Sequence, residues 1–141
     1  MADNPFVGTW VYRSLYNDPD INKSFNDLQL GYGLLVINDG PSMRLSGTIG
    51  YAADGWSLDL HGSRSYGSPA QVRFQGKGIV NGSEWIYDYI GWLVPVWPSS
   101  TDVLQGPSIV GSVTRTIAHP SSKGGISPAG VVASFYAVKT E

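Results

Sequence analysis

The chain has 141 residues, a length that fits one domain over 1–141 with a single core. A net charge of -2 with only 14% charged residues lacks the basic excess that a phosphate backbone demands, so nucleic acid is not an expected partner. The chain has no cysteine for disulfides or thiolate metal sites, no charged-then-apolar leader after Met1, and no apolar run near the ~20 residues that span a bilayer, so a cytoplasmic address away from membranes is expected.

Abundant glycine, proline, tyrosine and tryptophan point to many strands joined by turns. The first strand runs Phe6 to Leu15, with Trp10, Tyr12 and Ser14 on one face and Val11, Arg13 and Leu15 on the other. Tyr16 to Asp27 is mostly polar, contains Pro19 and is too long for a hairpin turn, so it reads as a mobile loop or a short helical lid. The second strand, Leu28 to Ile37, alternates Leu28, Leu30, Tyr32, Leu34 and Val36 with Gln29, Gly31, Gly33 and Leu35. Asn38 to Ser42 turns the chain, because Asp-Gly and Gly-Pro both stop a ladder.

The third strand, Met43 to Tyr51, sets Met43, Leu45, Gly47 and Ile49 against Arg44, Ser46 and Thr48. Ala52 to Gly55 leads into a fourth, where Trp56, Leu58 and Leu60 oppose Ser57, Asp59 and His61. After Ser65 to Pro69 a fifth sets Val72 and Phe74 against Arg73, Gln75 and Lys77, and Asn81-Gly82 supplies a hairpin signal. The sixth, Glu84 to Trp97, is apolar on both faces: Ile86, Asp88, Ile90, Trp92 and Val94 on one, Trp85, Tyr87, Tyr89 and Leu93 on the other. Either face could point inward. Pro98 to Pro107 is a second long connection, and Ser108 to Ile117 is a seventh strand with Ile109, Gly111, Val113 and Arg115 on one face. Ala118 to Pro128 has no apolar period and reads as a loop, and Ala129 to Lys139 is the eighth strand.

Eight strands, each able to run antiparallel to the last and without a long helix, predict an all-β fold. An open sheet would leave two edges unpaired, and pairing the first strand with the last removes them. The expected architecture is an eight-stranded antiparallel up-and-down β-barrel. In such a meander the connections alternate between ends. The first loop, the turns at 52–55 and 80–83 and the loop 118–128 share one end, while 38–42, 65–69 and 98–107 share the other, with Trp97 near its rim.

Gly8-Thr9-Trp10, followed by a long first loop and a strand meander, resembles the calycin barrels, the lipocalins and avidins. Leu45-Ser46-Gly47-Thr48 adds an avidin-like look. The resemblance implies that Trp10 plugs the closed end beneath a basic side chain from late in the chain, Lys139 or Arg115, and that the end with the long first loop is the mouth. Tyr12 and Ile49 stand where the avidins' small polar biotin-holding groups would be, so biotin is not implied. A barrel of this size holds packed side chains or one small ligand.

Candidate cavity walls are Trp10, Tyr12, Tyr32, Trp56, Phe74, Trp92 and Phe135, with Asp88 and Arg115 as polar anchors. Asp88 is the sharpest candidate: if it faces in, desolvation raises its pKa and suits it to general acid or base catalysis, with the Tyr12 hydroxyl as another such group. If Trp85, Tyr87 and Tyr89 face in, Asp88 is merely solvated; a third reading buries it as an ion pair with Arg115 or Arg13. Ile21 and Phe25 on the first loop either cap a ligand or anchor the loop to its own barrel. His61 reads as a solvated wall position and His119 as an exposed loop residue that could reach a ligand or a haem iron. Two separated histidines without cysteine offer no metal-ligand spacing, and nucleotide fingerprints are lacking, so no cofactor or metal is expected. The functions in view are a binder of one small apolar or aromatic molecule, a cofactor-free cyclase, isomerase or lyase in the same cavity, and a module that forms homodimers through outward aromatics of the sixth strand.

Overall fold

The computed structural model describes residues 4–94, 106–121 and 123–140. Its strands are β1 (Gly8–Tyr16), β2 (Gln29–Asp39), β3 (Arg44–Tyr51), β4 (Trp56–Ser65), β5 (Gln71–Val80), β6 (Ser83–Val94), β7 (Ser108–Arg115), the short β8 (His119–Pro120) and β9 (Ile126–Ser127), and β10 (Val132–Lys139). Eight of them close into an antiparallel barrel, as the elimination of free edges requires, with β1 paired to β2 on one side and to β10 on the other.

Two connections carry structure of their own, a short helix of the kind considered for the first loop and a hairpin where only a loop was expected. The first loop ends in a one-turn helix, α1 (Phe25–Leu28), capped by the Ser24 side chain, and the loop before β10 folds into the β8–β9 hairpin. Ile21 and Phe25 do not anchor their loop to the barrel: they are 95% and 70% exposed. The sixth strand is described as far as Val94, and the stretch expected to extend it to Trp97 lies outside the described residues. Among the described residues no helix is long and apolar enough to cross a membrane.

The inward faces of β1, β3, β4, β5 and β7 are those that alternation assigns. β2 is the reverse of its hydrophobic pattern: Gly33, Leu35 and Ile37 are buried while Tyr32 and Leu34 are exposed, and a register shift at Ser14/Leu15 absorbs an extra residue near Leu30. At Gly33 the inward position admits no side chain, since a Cβ there would collide with the Gly50 carbonyl of β3, while Leu35 and Ile37 fill the same face nearer the closed end.

β6 resolves its ambiguity in the same way. Tyr87 and Tyr89 are buried, while Asp88 is exposed and Trp92 is 37% exposed on the outer face. Gly91 shares the inward face, and Ile109 and Phe135 stand 2.8 and 3.1 Å from where its Cβ would be. The opposite register would desolvate a carboxylate at a cost of several kcal/mol and turn two tyrosines to water. Asp88 instead laces the outer wall, accepting hydrogen bonds from Gln75 Nε2 at 3.3 Å and Thr116 Oγ1 at 2.7 Å. It forms no ion pair with Arg115 or Arg13.

The closed end is sealed by Phe6 and Trp10, both fully buried, with Trp10 Nε1 donating to the Phe6 carbonyl at 3.0 Å. Lys139, the cross-strand partner of Trp10, lays its ammonium 5.7 Å from the indole centroid. Lys139 therefore takes the covering position, and Arg115 points into the opposite half of the barrel.

Gly111 lies opposite Gly91 across the β6–β7 ladder, and a Cβ there would run into the Ile90 carbonyl oxygen. Backbone cannot give way as a side chain can, so Gly111→Ala should lower stability in urea unfolding by about 1–3 kcal/mol. Val110→Thr, on the exposed outer face of the same strand, should change it by about 0.5 kcal/mol or less.

Candidate functional site

The barrel interior is filled to half its height. Above the Trp10 plug, Tyr12, Tyr89 and Phe135 form a ring cluster with centroids 5.4–6.1 Å apart. Leu35, Ile49, Leu60, Phe74 and Ile109 surround it and leave a gap of only about 10 Å³. Above that floor a cup of about 670 Å³ opens at the mouth end.

Residue size on facing strands makes the cup. On β1 and β2 the inward positions near the mouth are Ser14 and Gly31, cross-strand partners joined by a 3.4 Å hydrogen bond from Ser14 Oγ to the Gly31 carbonyl. On the far wall stand Trp56 from β4 and Trp85 and Tyr87 from β6, with the two indoles 6.5 Å apart. Small residues on one side and indoles on the other leave an aromatic wall beside open space.

A hydrogen-bonded chain crosses that wall. Arg115 Nε donates to the Tyr87 hydroxyl at 2.9 Å, and the Tyr87 hydroxyl lies 2.7 Å from His119 Nε2. His119 Nδ1 is 3.0 Å from the Pro120 carbonyl. A carbonyl only accepts, so Nδ1 carries the proton, Nε2 is bare, and Tyr87 donates to it. All bonds then run one way, from the guanidinium through the phenol and imidazole to the backbone. The His119 ring stacks on Trp85 at 4.1 Å and 16°, which pins the β8–β9 hairpin to the wall. Arg115 also holds the loop that follows: one Nη donates to the Pro128 carbonyl at 3.2 Å, and its backbone bonds Val131 and Gly130.

Burial sets the protonation states. Desolvation lowers the His119 pKa against a smaller raising effect of the Pro120 carbonyl, and nearby Arg115 lowers it further. Tyr87 is pushed up by burial despite Arg115, and burial raises Tyr12 and Tyr89 strongly. The wall formed by Tyr12, Tyr87, Tyr89, His119 and Arg115 thus holds neutral phenols, a neutral imidazole and the fixed charge of Arg115, with Lys123 and Asp54 as further charged residues around the cup.

Of the residues expected from sequence, Tyr12, Trp56 and Arg115 come together in the cup. Phe74 and Phe135 belong to the filled layer beneath, and Trp10 to the plug. Tyr32 stands on the outer wall beside Tyr51, 5.3 Å between ring centroids, and reaches only the rim, where Asp54 raises its pKa. Asp88 and Trp92 are outside. His61 is exposed on the outer wall as expected, whereas His119, expected to be exposed, is 5% exposed inside. The sequence left Trp85, Tyr87 and Tyr89 open as the inward face and His119 as a loop residue able to reach a ligand, but did not bring the four together. The signal for the first three was Arg115, a cation alternating with Ile109 and Val113 that needs a polar partner indoors; His119 lies in a segment without period and gave none. Among the described residues no group of three or more His, Asp or Glu could hold a metal ion.

The lowered His119 pKa links the site to stability. Unfolded, the imidazole titrates near its ordinary 6.5; folded, it takes a proton only at lower pH. Its contribution is therefore complete above about pH 6.5 and is lost as pH falls through the folded value. Urea unfolding of the wild type and His119→Gln at pH 7.5 and pH 5 should show the difference between the two proteins shrinking at the lower pH. Comparison of the chain with protein-family models, with curated proteins and with solved structures gives no match.

Proposed function

We propose that the protein is a calycin-type binder that holds one small, largely apolar, aromatic or polycyclic molecule in the mouth-side cup. The observation that carries this reading is the cup itself: about 670 Å³ walled by indoles and phenols, with a few polar groups converging at one place. Ligand pockets typically have about 300–1,000 Å³ and this mixture of walls. The Trp10 plug under Lys139 supports the calycin comparison. A cytoplasmic setting goes with this reading.

One observation favours a second reading, a cofactor-free cyclase, isomerase or lyase. Tyr87 sits between a cation that stabilises its phenolate and an imidazole that can take its proton, the arrangement of a general acid–base pair. With Asp88 on the outer wall, Tyr87 and His119 take over the role considered for it. Tyr87→Phe separates the two readings: an enzyme would keep its substrate affinity within a few-fold and lose turnover, and a binder would show no turnover in either form. A homodimer is compatible with both and is supported by the outward row Trp92, Val110 and Tyr136, consecutive cross-strand neighbours each 37–40% exposed.

Titration with the aromatic anion 1-anilinonaphthalene-8-sulfonate tests the binding reading. One molecule should bind per chain and quench tryptophan fluorescence. Trp56→Ala, which strips one indole from the cup, should weaken binding about three- to tenfold, while Trp92→Ala on the outer wall should leave it unchanged. Sensitivity to Trp92 but not Trp56 would overturn the assignment of the cup.

A further inference from the structure

Arg115 is a buried cation that the described residues do not neutralise. It is 5% exposed, yet among the described residues it forms no ion pair. Its protein partners are neutral acceptors, the Tyr87 hydroxyl on Nε and the Pro128 carbonyl on one Nη. Among the described residues the second Nη has no hydrogen-bond partner, and the residue lines the cup. The other charged residues around the cup are Lys123, a second cation, and Asp54, engaged with Tyr32 at the rim.

The nearest carboxylates by strand register are turned away. Asp88 is on the outer face of β6 with Gln75 and Thr116, and Glu84 pairs with Lys77 at 3.6 Å outside the barrel. A guanidinium cannot discharge itself by losing a proton, and an unpaired buried charge is costly. The second Nη offers N–H donors to a carboxylate in charge-assisted hydrogen bonds, which are stronger than those to a neutral acceptor. Tyr89 adds a hydroxyl on the cup floor with no hydrogen-bond partner among the described residues. Tyr87 cannot serve as a donor, because its proton is committed to His119.

We infer that the molecule held in the cup is an aromatic or polycyclic carboxylic acid, its carboxylate on the second Nη of Arg115 and its rings against Trp56 and Trp85. This inference rests on the binding reading above and narrows it. It also gives Arg115 a role distinct from tying down the loop at Pro128, which a neutral donor could perform.

Calorimetric titration of the whole protein with anthracene-9-carboxylate and with anthracene-9-carboxamide, similar in shape and different in charge, decides the matter. The acid should bind at least about tenfold tighter than the amide, as expected of charge-assisted bonds. Arg115→Gln should bring the acid down to the level of the amide, and Arg115→Lys should keep part of the preference. Near-ultraviolet circular dichroism reports whether the variants keep the fold; if they do not, the wild-type comparison decides alone. Equal binding of acid and amide overturns the carboxylate inference and leaves the binding reading intact. Failure of both compounds to bind at millimolar concentration overturns both.

Discussion

Closing eight strands on themselves fixes the width of the interior, and the size of each inward side chain then decides whether a given height is solid or hollow. At the closed end Phe6 and Trp10 fill the section, and at mid-height the rings of Tyr12, Tyr89 and Phe135 do. Nearer the mouth the same wall carries Ser14 and Gly31 opposite Trp56 and Trp85, and the section cannot be filled. The cup therefore follows from a few residue sizes at one level of the barrel. Glycines elsewhere in the wall act oppositely: at Gly91 and Gly111 they let strands and neighbouring side chains approach and keep the lower half dense.

Electrostatics give the cup its direction. Low polarity around Tyr12, Tyr89 and His119 favours their neutral forms, while Arg115 keeps its charge in the same surroundings. Two loop carbonyls, from Pro120 and Pro128, end the hydrogen bonds that begin at Arg115 and His119, so the polar cluster also fastens the segment between β7 and β10 over the mouth. One set of bonds thus both shapes the rim and orients the polar end of the pocket. Changes to Arg115 will be felt in loop order as well as in the charge of the cup, which is why a shape-matched pair of compounds that differ in charge is more telling than a variant alone.

The closed antiparallel barrel was legible because most strands alternate cleanly, and because the first strand and the last each need a partner. Lys139 over Trp10 was legible through the resemblance, as one of two basic candidates. The site was legible only in part. β6 is apolar on both faces, so alternation alone could not choose between Asp88 and Tyr87, and steric fit at Gly91 made the choice. β2 misleads outright, since Gly31 and Gly33 face in with Leu35 and Ile37 while Tyr32 and Leu34 face out, and at Gly33 the backbone of β3 leaves no room for a side chain. His119 shows a different limit. Its burial depends on stacking with Trp85 from a distant strand, and nothing local in Ala118-His119-Pro120 announces it.

The central claim is that a one-way hydrogen-bonded chain, Arg115 to Tyr87 to His119, lies at the wall of the cup. Its most direct test is the tautomer of His119, read from the ring nitrogens by long-range nitrogen–proton correlation on uniformly nitrogen-15-labelled protein near neutral pH; the chain has only one other histidine, His61. The account predicts a neutral ring protonated on Nδ1, with Nε2 bare and accepting from Tyr87. A ring protonated on Nε2, or an imidazolium at that pH, would contradict it.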